Sequence, residues 1–233
     1  MSLPYFYEPA ISINTTTFTV SEETSKHCIQ VLRMKKNELL QLTDGKGNIY
    51  TASITEADKK HCIVNIQQHR YINVSTKKVC IAISLVKNAS RFEWFLEKAT
   101  ELGIHEIIPL ICKRTEKQHF RFDRMNHILI SAMLQSQQTW LPILHEPQKI
   151  SDVIHSSNHP QKLIAHCIEE DKKSVTDLEI ENNCLMLIGP EGDFTKEEID
   201  AALLEKYIPV SLGNTRLRTE TAGIVAATIL INF

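Results

Sequence analysis

Two rhythms of apolar and polar residues divide this chain. From Tyr5 to about Arg70 the apolar residues come in short runs, FTV, ELLQLTD, NIYTASI and HCIVNIQ, and they alternate with polar ones most regularly from Ile49 to Ile54. Alternation of period two is the pattern of strands with one buried face. DGKGN, Asp44 to Asn48, supplies a hairpin turn between two of these strands, because its glycines reach positive φ without a Cβ clash. One helix is expected from about Glu22 to Leu32, capped by Ser21. Residues 1–70 therefore read as a small β-barrel-like domain.

After YINVSTKK the period lengthens and strands alternate with helices over residues 71–233. VCIAISLV, Val79 to Val86, is a buried strand by its run of β-branched and small apolar residues. The helix RFEWFLEKATEL follows, with Phe92, Phe95, Ala99 and Leu102 on one face and Gly103 as its stop. Next come the strand IHEIIPLI, a helix from about Arg121 to Gln138, a short helix near Asp152, and the strands KLIAHC and CLMLIG. The helix KEEIDAALLEKY opens on a capping box of Thr195 and Glu198; the strand IPVSLG and a helix from about Glu220 close the chain. Such alternation implies an α/β fold, a mostly parallel sheet covered on both faces.

Composition adds bounds. At 233 residues, 42% hydrophobic and 23% charged, the chain is an ordinary soluble globular protein. Its longest apolar stretch, Ala222 to Ile231, falls short of the roughly 20 residues a bilayer requires, so no membrane is involved. The N-terminus lacks a basic region followed by an apolar one, so no signal peptide is expected. The six cysteines are scattered without a C-x-x-C pair, which argues against a metal site and for a reduced, cytoplasmic protein.

The net charge of −2 hides an uneven distribution: residues 71–150 carry 11 Lys/Arg against 7 Asp/Glu, and residues 151–233 carry 7 against 14. The positive charge is densest in KRTEKQHFRFDR, Lys113 to Arg124, which makes Arg114, Lys117 and Arg121 candidate phosphate contacts. Interleaved Phe120 and Phe122 fit a base-stacking surface, against the plainer reading of a solvated face.

Glycine is scarce, seven in the whole chain, yet Gly189, Gly192, Gly213 and Gly223 fall near its end. Gly189 and Gly213 end strands, where open α/β sheets bind their ligands, and Pro190 stiffens the first of these turns. RLRTETA follows the second turn; helix N-termini favour acids, so Arg216 and Arg218 point to an anion or a developing negative charge. Neither a P-loop nor a G-x-G-x-x-G fingerprint is present, which leaves a small cofactor held through backbone contacts.

HCIQVLR (His27 to Arg33), KATELG (Lys98 to Gly103), LIGPEG and SLGNTRLRTETA follow one another in the order of a known signature. On these four stretches the chain resembles the SPOUT methyltransferases, specifically the ribosomal RNA small subunit methyltransferase E family, which makes N3-methyluridine in 16S rRNA. The resemblance implies an N-terminal PUA-like RNA-binding β-barrel and a C-terminal SPOUT domain tied in a trefoil knot. It further implies a homodimer acting on 16S rRNA or the small ribosomal subunit, with S-adenosylmethionine held in the knotted loops. Carried over by position, the cofactor residues are Leu187, Ile188, Gly189, Pro190, Glu191 and Gly192 in one loop, and Ser211, Leu212, Gly213 and Leu217 in the other. Thr221 and Ala222 close the pocket, Arg218 and Glu220 are the catalytic pair, and Arg33 and Lys35 contact RNA. The chain departs from the family with Asp193 in place of a glycine, with Thr215 and Arg216 in place of arginine and isoleucine, and in lacking an arginine near Gln138.

His27, His105 and His166 have no acid partner at a fixed spacing and read as structural, with His166 also placed to line the cofactor pocket. Trp94 and Trp140 read as core or dimer-interface residues. Two other functions stand beside the main one. A different SPOUT enzyme would keep the glycine loops; a non-catalytic RNA-binding assembly factor would need only the barrel and the basic stretch.

Overall fold

The computed structural model describes residues 3–168 and 172–233. The chain divides into two compact units, the first made of residues 1–74 with 133–141 and the second of residues 75–132 with 142–233.

In the first unit, strands β1 (Tyr5–Tyr7), β2 (Thr17–Thr19), β3 (Leu39–Thr43), β4 (Asn48–Glu56) and β5 (Ile63–Tyr71) form a sheet in the order β1-β3-β4-β5-β2. Its pairs are antiparallel except β1 with β3. The alternation along β4 sends Asn48, Tyr50, Ala52 and Ile54 inward, where Tyr50, Ala52 and Ile54 pack with Leu40, Leu42, Phe6 and Val64. Two register shifts between β4 and β5 bend the sheet. Asp44 folds the hairpin turn around its carboxylate, accepting from the backbone of Lys46 and Asn48 at 2.8 and 3.2 Å. Residues 139–141 dock on this turn: Gly47 N–H donates to Thr139 O, and Leu141 N–H to Gly45 O, both at 2.9 Å.

The helix expected over Glu22–Leu32 is divided. A short α1 (Glu22–Lys26), capped by Ser21 as predicted, passes into one π-helical turn over His27–Val31, in which Leu32 N–H reaches back to His27 O. The wider turn delivers the chain to Arg33, which sits at φ 56°.

In the second unit every pairing among the described residues is parallel. The strands are β6 (Lys78–Ser84), β7 (Glu106–Ile111), β8 (Ile143–Leu144), β9 (Gln148–Lys149), β10 (Gln161–Ala165), β11 (Lys173–Ser174), β12 (Asn183–Ile188) and β13 (Ile208–Ser211). Their order is β11-β13-β10-β12-β6-β7-β8, with β9 also beside β7. Helices α2 (Ala89–Leu102) and α6 (Thr219–Asn232) pack together, with α6 on β6 and β12. On the other face Cys80, Ala82, Leu185 and Leu187 pack with α4 (Ile150–Ser156) and α5 (Lys196–Leu204) through Val153, Ile154, Ile199 and Ala202. The remaining helix, α3 (Phe122–Gln135), ends before a turn at Gln137, which has φ 56°, rather than running to Gln138.

Local signals explain several boundaries. Gly103 closes α2 in the left-handed region at φ 88°. Thr195 and Glu198 make the reciprocal capping box that opens α5. Trp94, read from sequence as core or interface, is 44% exposed on α2 and is therefore not a core residue. Trp140 donates from its indole N–H to Ile72 O at 2.8 Å within the first unit.

Candidate active site

Three parallel strands end side by side. Ala165 at the end of β10 pairs with Ile188 of β12 on one flank and Val210 of β13 on the other. The turns leaving these strands enclose a cleft of ≈ 720 Å³, within the usual 300–1,000 Å³ of small-molecule sites. Ile188, Gly189, Pro190 and Glu191 form one wall, Ser211, Leu212 and Gly213 another, and Leu217, Arg218 and Ala222 line the approach to α6. Of the other sequence candidates, Leu187 is fully buried in the sheet, and Gly192, Thr221 and Glu220 are not among the described lining residues.

Side chains fix the first wall in place. Thr219 Oγ1, buried at the start of α6, donates to Gly189 O at 3.0 Å. Asp193 closes the turn with its N–H on Pro190 O at 2.9 Å, and its carboxylate accepts from the N–H groups of Cys167 and Phe194 at 2.8 and 2.9 Å. Phe194 is buried beneath: a Cβ on Gly189 would lie 3.2 Å from its ring. Arg114 donates to Gly192 O at 2.6 Å and to Phe194 O at 3.3 Å, so its guanidinium braces this turn from outside. Glu191 Oε1 accepts from Lys87 N–H at 3.1 Å.

The third wall has no counterpart in the sequence motifs. Ala165, His166, Cys167 and Lys172 line the cleft because β10 lies between β12 and β13. Of these, the sequence marks only His166, as the end of its strand. Lys172 Nζ donates to His166 O at 2.7 Å and so ties this wall together. Asn214, Thr215 and Arg216 complete the rim, with Arg216 Nη2 3.5 Å from Glu191 O.

The predicted catalytic pair is separated by the helix geometry. Arg218 caps α6 with extended backbone and is exposed in the cleft mouth. Glu220 is buried in the first turn of α6 and faces α2, where its Oε1 lies 3.6 Å from Arg91 Nε. The first turn of a helix favours such an acid.

Comparison with known proteins decides the family. Residues 73–231 match the RNA methyltransferase domain model and residues 20–67 the RNA methyltransferase PUA domain model. The ribosomal RNA small subunit methyltransferase E of Mesomycoplasma hyopneumoniae is 30% identical over 217 residues, covering 91% of this chain and 92% of that protein. The chain belongs to this RNA methyltransferase family. A crystal structure of a probable rRNA methyltransferase from Porphyromonas gingivalis is 36% identical, with a TM-score of 0.90 over 97% of this chain and 95% of that one. The ribosomal RNA small subunit methyltransferase E of Neisseria gonorrhoeae, solved bound to S-adenosyl methionine, is 29% identical, with a TM-score of 0.87 over 97% and 95% of the two chains.

The RNA methyltransferase fold thus consists here of a PUA-type first unit and an all-parallel second unit. In the first, Arg33 and Lys35 are exposed just after the π-helical turn, and Lys35 N–H is held by Glu38 Oε2 at 3.0 Å. In the second, Lys117 and Arg121 are exposed. Arg124, from the same basic stretch, is bidentate on Glu93 at 2.6 and 2.9 Å and holds that carboxyl below its usual range. Phe120 and Phe122 pack edge to face, with Phe120 also against Phe92 of α2. Among the described residues no helix is long and apolar enough to cross a membrane, and all six cysteines are free.

Proposed function

We propose that this family member is an S-adenosylmethionine-dependent methyltransferase acting on N3 of a uridine in 16S ribosomal RNA of the small subunit. The observation that carries the reading is the cleft at the ends of β10, β12 and β13, where Gly213 leaves its backbone open and an arginine stands at the mouth. The residues fit such a cofactor. Gly213 has φ 134°, and nothing lies within 4 Å of where a Cβ would stand, so the backbone there faces open space.

Bound in this cleft, S-adenosylmethionine supplies an electrophilic methyl group on a sulfonium. The chain positions and stabilises. The Ile188 to Glu191 and Ser211 to Leu217 segments would hold the nucleoside through backbone groups, with Ala222 on the apolar side and Thr221 behind it, while Leu187 and Gly192 support the first segment from outside the cleft. As the uracil imide nitrogen gives its proton to water at the open cleft mouth, negative charge moves onto the flanking carbonyl oxygens, and the Arg218 guanidinium stabilises it. Glu220 acts from behind, its pairing with Arg91 orienting the start of α6 and hence Arg218. Arg33, Lys35, Lys117 and Arg121 carry phosphate contacts, whereas Arg114 contributes by bracing the cofactor turn.

Assembly and topology follow the same reading. Exposed Trp94 and the half-buried Ile224, Val225 and Ile229 on the adjoining α2 and α6 suit a homodimer interface. A trefoil knot around the cleft comes with the same family reading, and the bond from Thr219 to Gly189 holds two cleft segments 30 residues apart together. Six free cysteines, five of them buried, suit a reducing compartment such as the cytoplasm.

Two measurements test the proposal. Calorimetry should give saturable S-adenosylmethionine binding; its absence would leave the assembly-factor reading. Mass spectrometry of rRNA from a deletion strain should show one N3-methyluridine lost from 16S rRNA; loss of a different nucleotide would assign another RNA target.

A further inference from the structure

At the opposite edge of the second unit's sheet a thiol, a carboxylate and an imidazole converge. Cys80 near the start of β6, Glu106 opening β7 and His159 just before β10 offer ligand atoms all within 4.8 Å of one another. The parallel register makes Cys80 the direct cross-strand neighbour of Glu106. His159 Nε2 lies 3.9 Å from Glu106 Oε2.

Two further groups hold these donors in orientation. His145 Nε2 is 2.6 Å from the other Glu106 oxygen, Oε1. Ser157 Oγ is 3.0 Å from His159 Nδ1, which leaves Nε2 directed at the cluster. Metal-ligating imidazoles and carboxylates are commonly anchored in this way through the atom that does not bind the metal.

The geometry points to a zinc-type divalent cation held by Cys80 Sγ, a Glu106 carboxylate oxygen and His159 Nε2, with His145 and Ser157 orienting the ligands and a fourth position left to solvent. Sulfur and nitrogen donors select zinc over magnesium or calcium, which require oxygen ligands. A thiolate, a carboxylate and a neutral imidazole together balance a dication. Because the strands run parallel, this edge holds their amino ends, whereas the methyltransferase cleft lies at the carboxyl ends. The ion thus stands apart from methyl transfer: it ties β6, β7 and the segment entering β10 and keeps one position open. No C-x-x-C spacing marks it, because each ligand comes from a separate element.

The test uses the full chain with Cys167, the exposed thiol, replaced by Ser. After chelator treatment this protein is titrated with Co(II) alone. One equivalent should give the intense visible bands of a tetrahedral centre and a near-ultraviolet thiolate charge-transfer band, and Zn(II) should displace it and raise Tm. Cys80→Ala should abolish the charge-transfer band, and His159→Ala should weaken cobalt binding at least about tenfold. If Cys80→Ala does not fold, the partly exposed His159→Ala decides the matter alone. No saturable uptake at one equivalent, or spectra unchanged in the folded variants, would overturn the site and leave Glu106 as a carboxylate between two imidazoles.

Discussion

Asp193 Oδ2 accepts the backbone N–H of Cys167 at 2.8 Å, so one carboxylate joins the turn after β12 to the turn after β10. Its backbone sits at φ 65°, a region that L residues other than Asn and Asp seldom occupy. The departure from the family's glycine thus adds a tie between two cleft walls. Asp193→Gly should keep the turn and release Cys167, weakening S-adenosylmethionine binding about three- to tenfold, as expected for one hydrogen bond. Asp193→Ala keeps the strained φ without the bonds and should also cost about 1–3 kcal/mol of stability. Calorimetry and thermal unfolding of both variants check this; undiminished affinity in Asp193→Gly would make the tie immaterial.

Arg218 stands in the cleft mouth with no capping bond from its side chain to the helix backbone. Its removal should therefore leave binding of the cofactor intact and affect the step in which charge develops. Single-turnover methylation by Arg218→Ala should fall about 10²- to 10³-fold, the usual loss for one oxyanion donor. Retained turnover would take this arginine out of the mechanism.

Two glycines separate packing from binding. A Cβ on Gly223 would lie 2.7 Å from Phe95 and 2.8 Å from Ile83, both fully buried, so Gly223→Ala overpacks the seam between α6 and the sheet. Such a change costs about 1–3 kcal/mol and lowers Tm. Gly213→Ala meets no atom, but Gly213 lines the cleft at a φ of 134°, which L side chains rarely adopt. It should raise the Kd for S-adenosylmethionine more than it lowers Tm, as calorimetry beside thermal unfolding would show.

These contrasts follow what was legible in the sequence. The alternation along β4, the Thr195–Glu198 box and the Gly103 stop were readable because each signal lies within a few residues of what it controls. Strand order is not local: nothing in KLIAHC says that β10 runs between β12 and β13, so no sequence signal places Cys167 and Lys172 in the cleft. Whether a cation is engaged is equally a tertiary property. Arg114 and Arg124 look alike in KRTEKQHFRFDR, yet one braces two backbone carbonyls and the other grips Glu93. The π-helical turn at His27 escaped for a related reason, since a bond from Leu32 back to His27 leaves no mark in the helical periodicity.

The Arg124 pair makes stability depend on acid. Arg124 lowers the Glu93 carboxyl in the folded state, so the contribution is complete above the ordinary value of 4.5 and is lost as pH falls through the folded value. Arg124 is 52% exposed, so solvent screening keeps the effect small. Urea unfolding from neutral pH downward should show Glu93→Gln less stable near pH 7 and converging with the parent in acid. Parallel curves would remove the pair from the acid response.

Glu220 offers the closing comparison, because its carboxylate is buried while its partner is not. Its side chain is 9% exposed, Arg91 is 40% exposed, and the two approach to 3.6 Å. Arg91→Ala leaves the acid in place without its counter-charge, whereas Glu220→Gln leaves only an arginine that water can solvate. The arginine variant should therefore be the more destabilised, by about 1 kcal/mol after screening through the exposed partner. If the pair orients α6, both variants should lower the methylation rate without raising the Kd for S-adenosylmethionine, and Arg91→Lys should restore part of it. A double-mutant cycle on stability and rate measures the coupling directly. Additive losses in both would show that the two residues act separately, with Glu220 serving only the helix N-terminus.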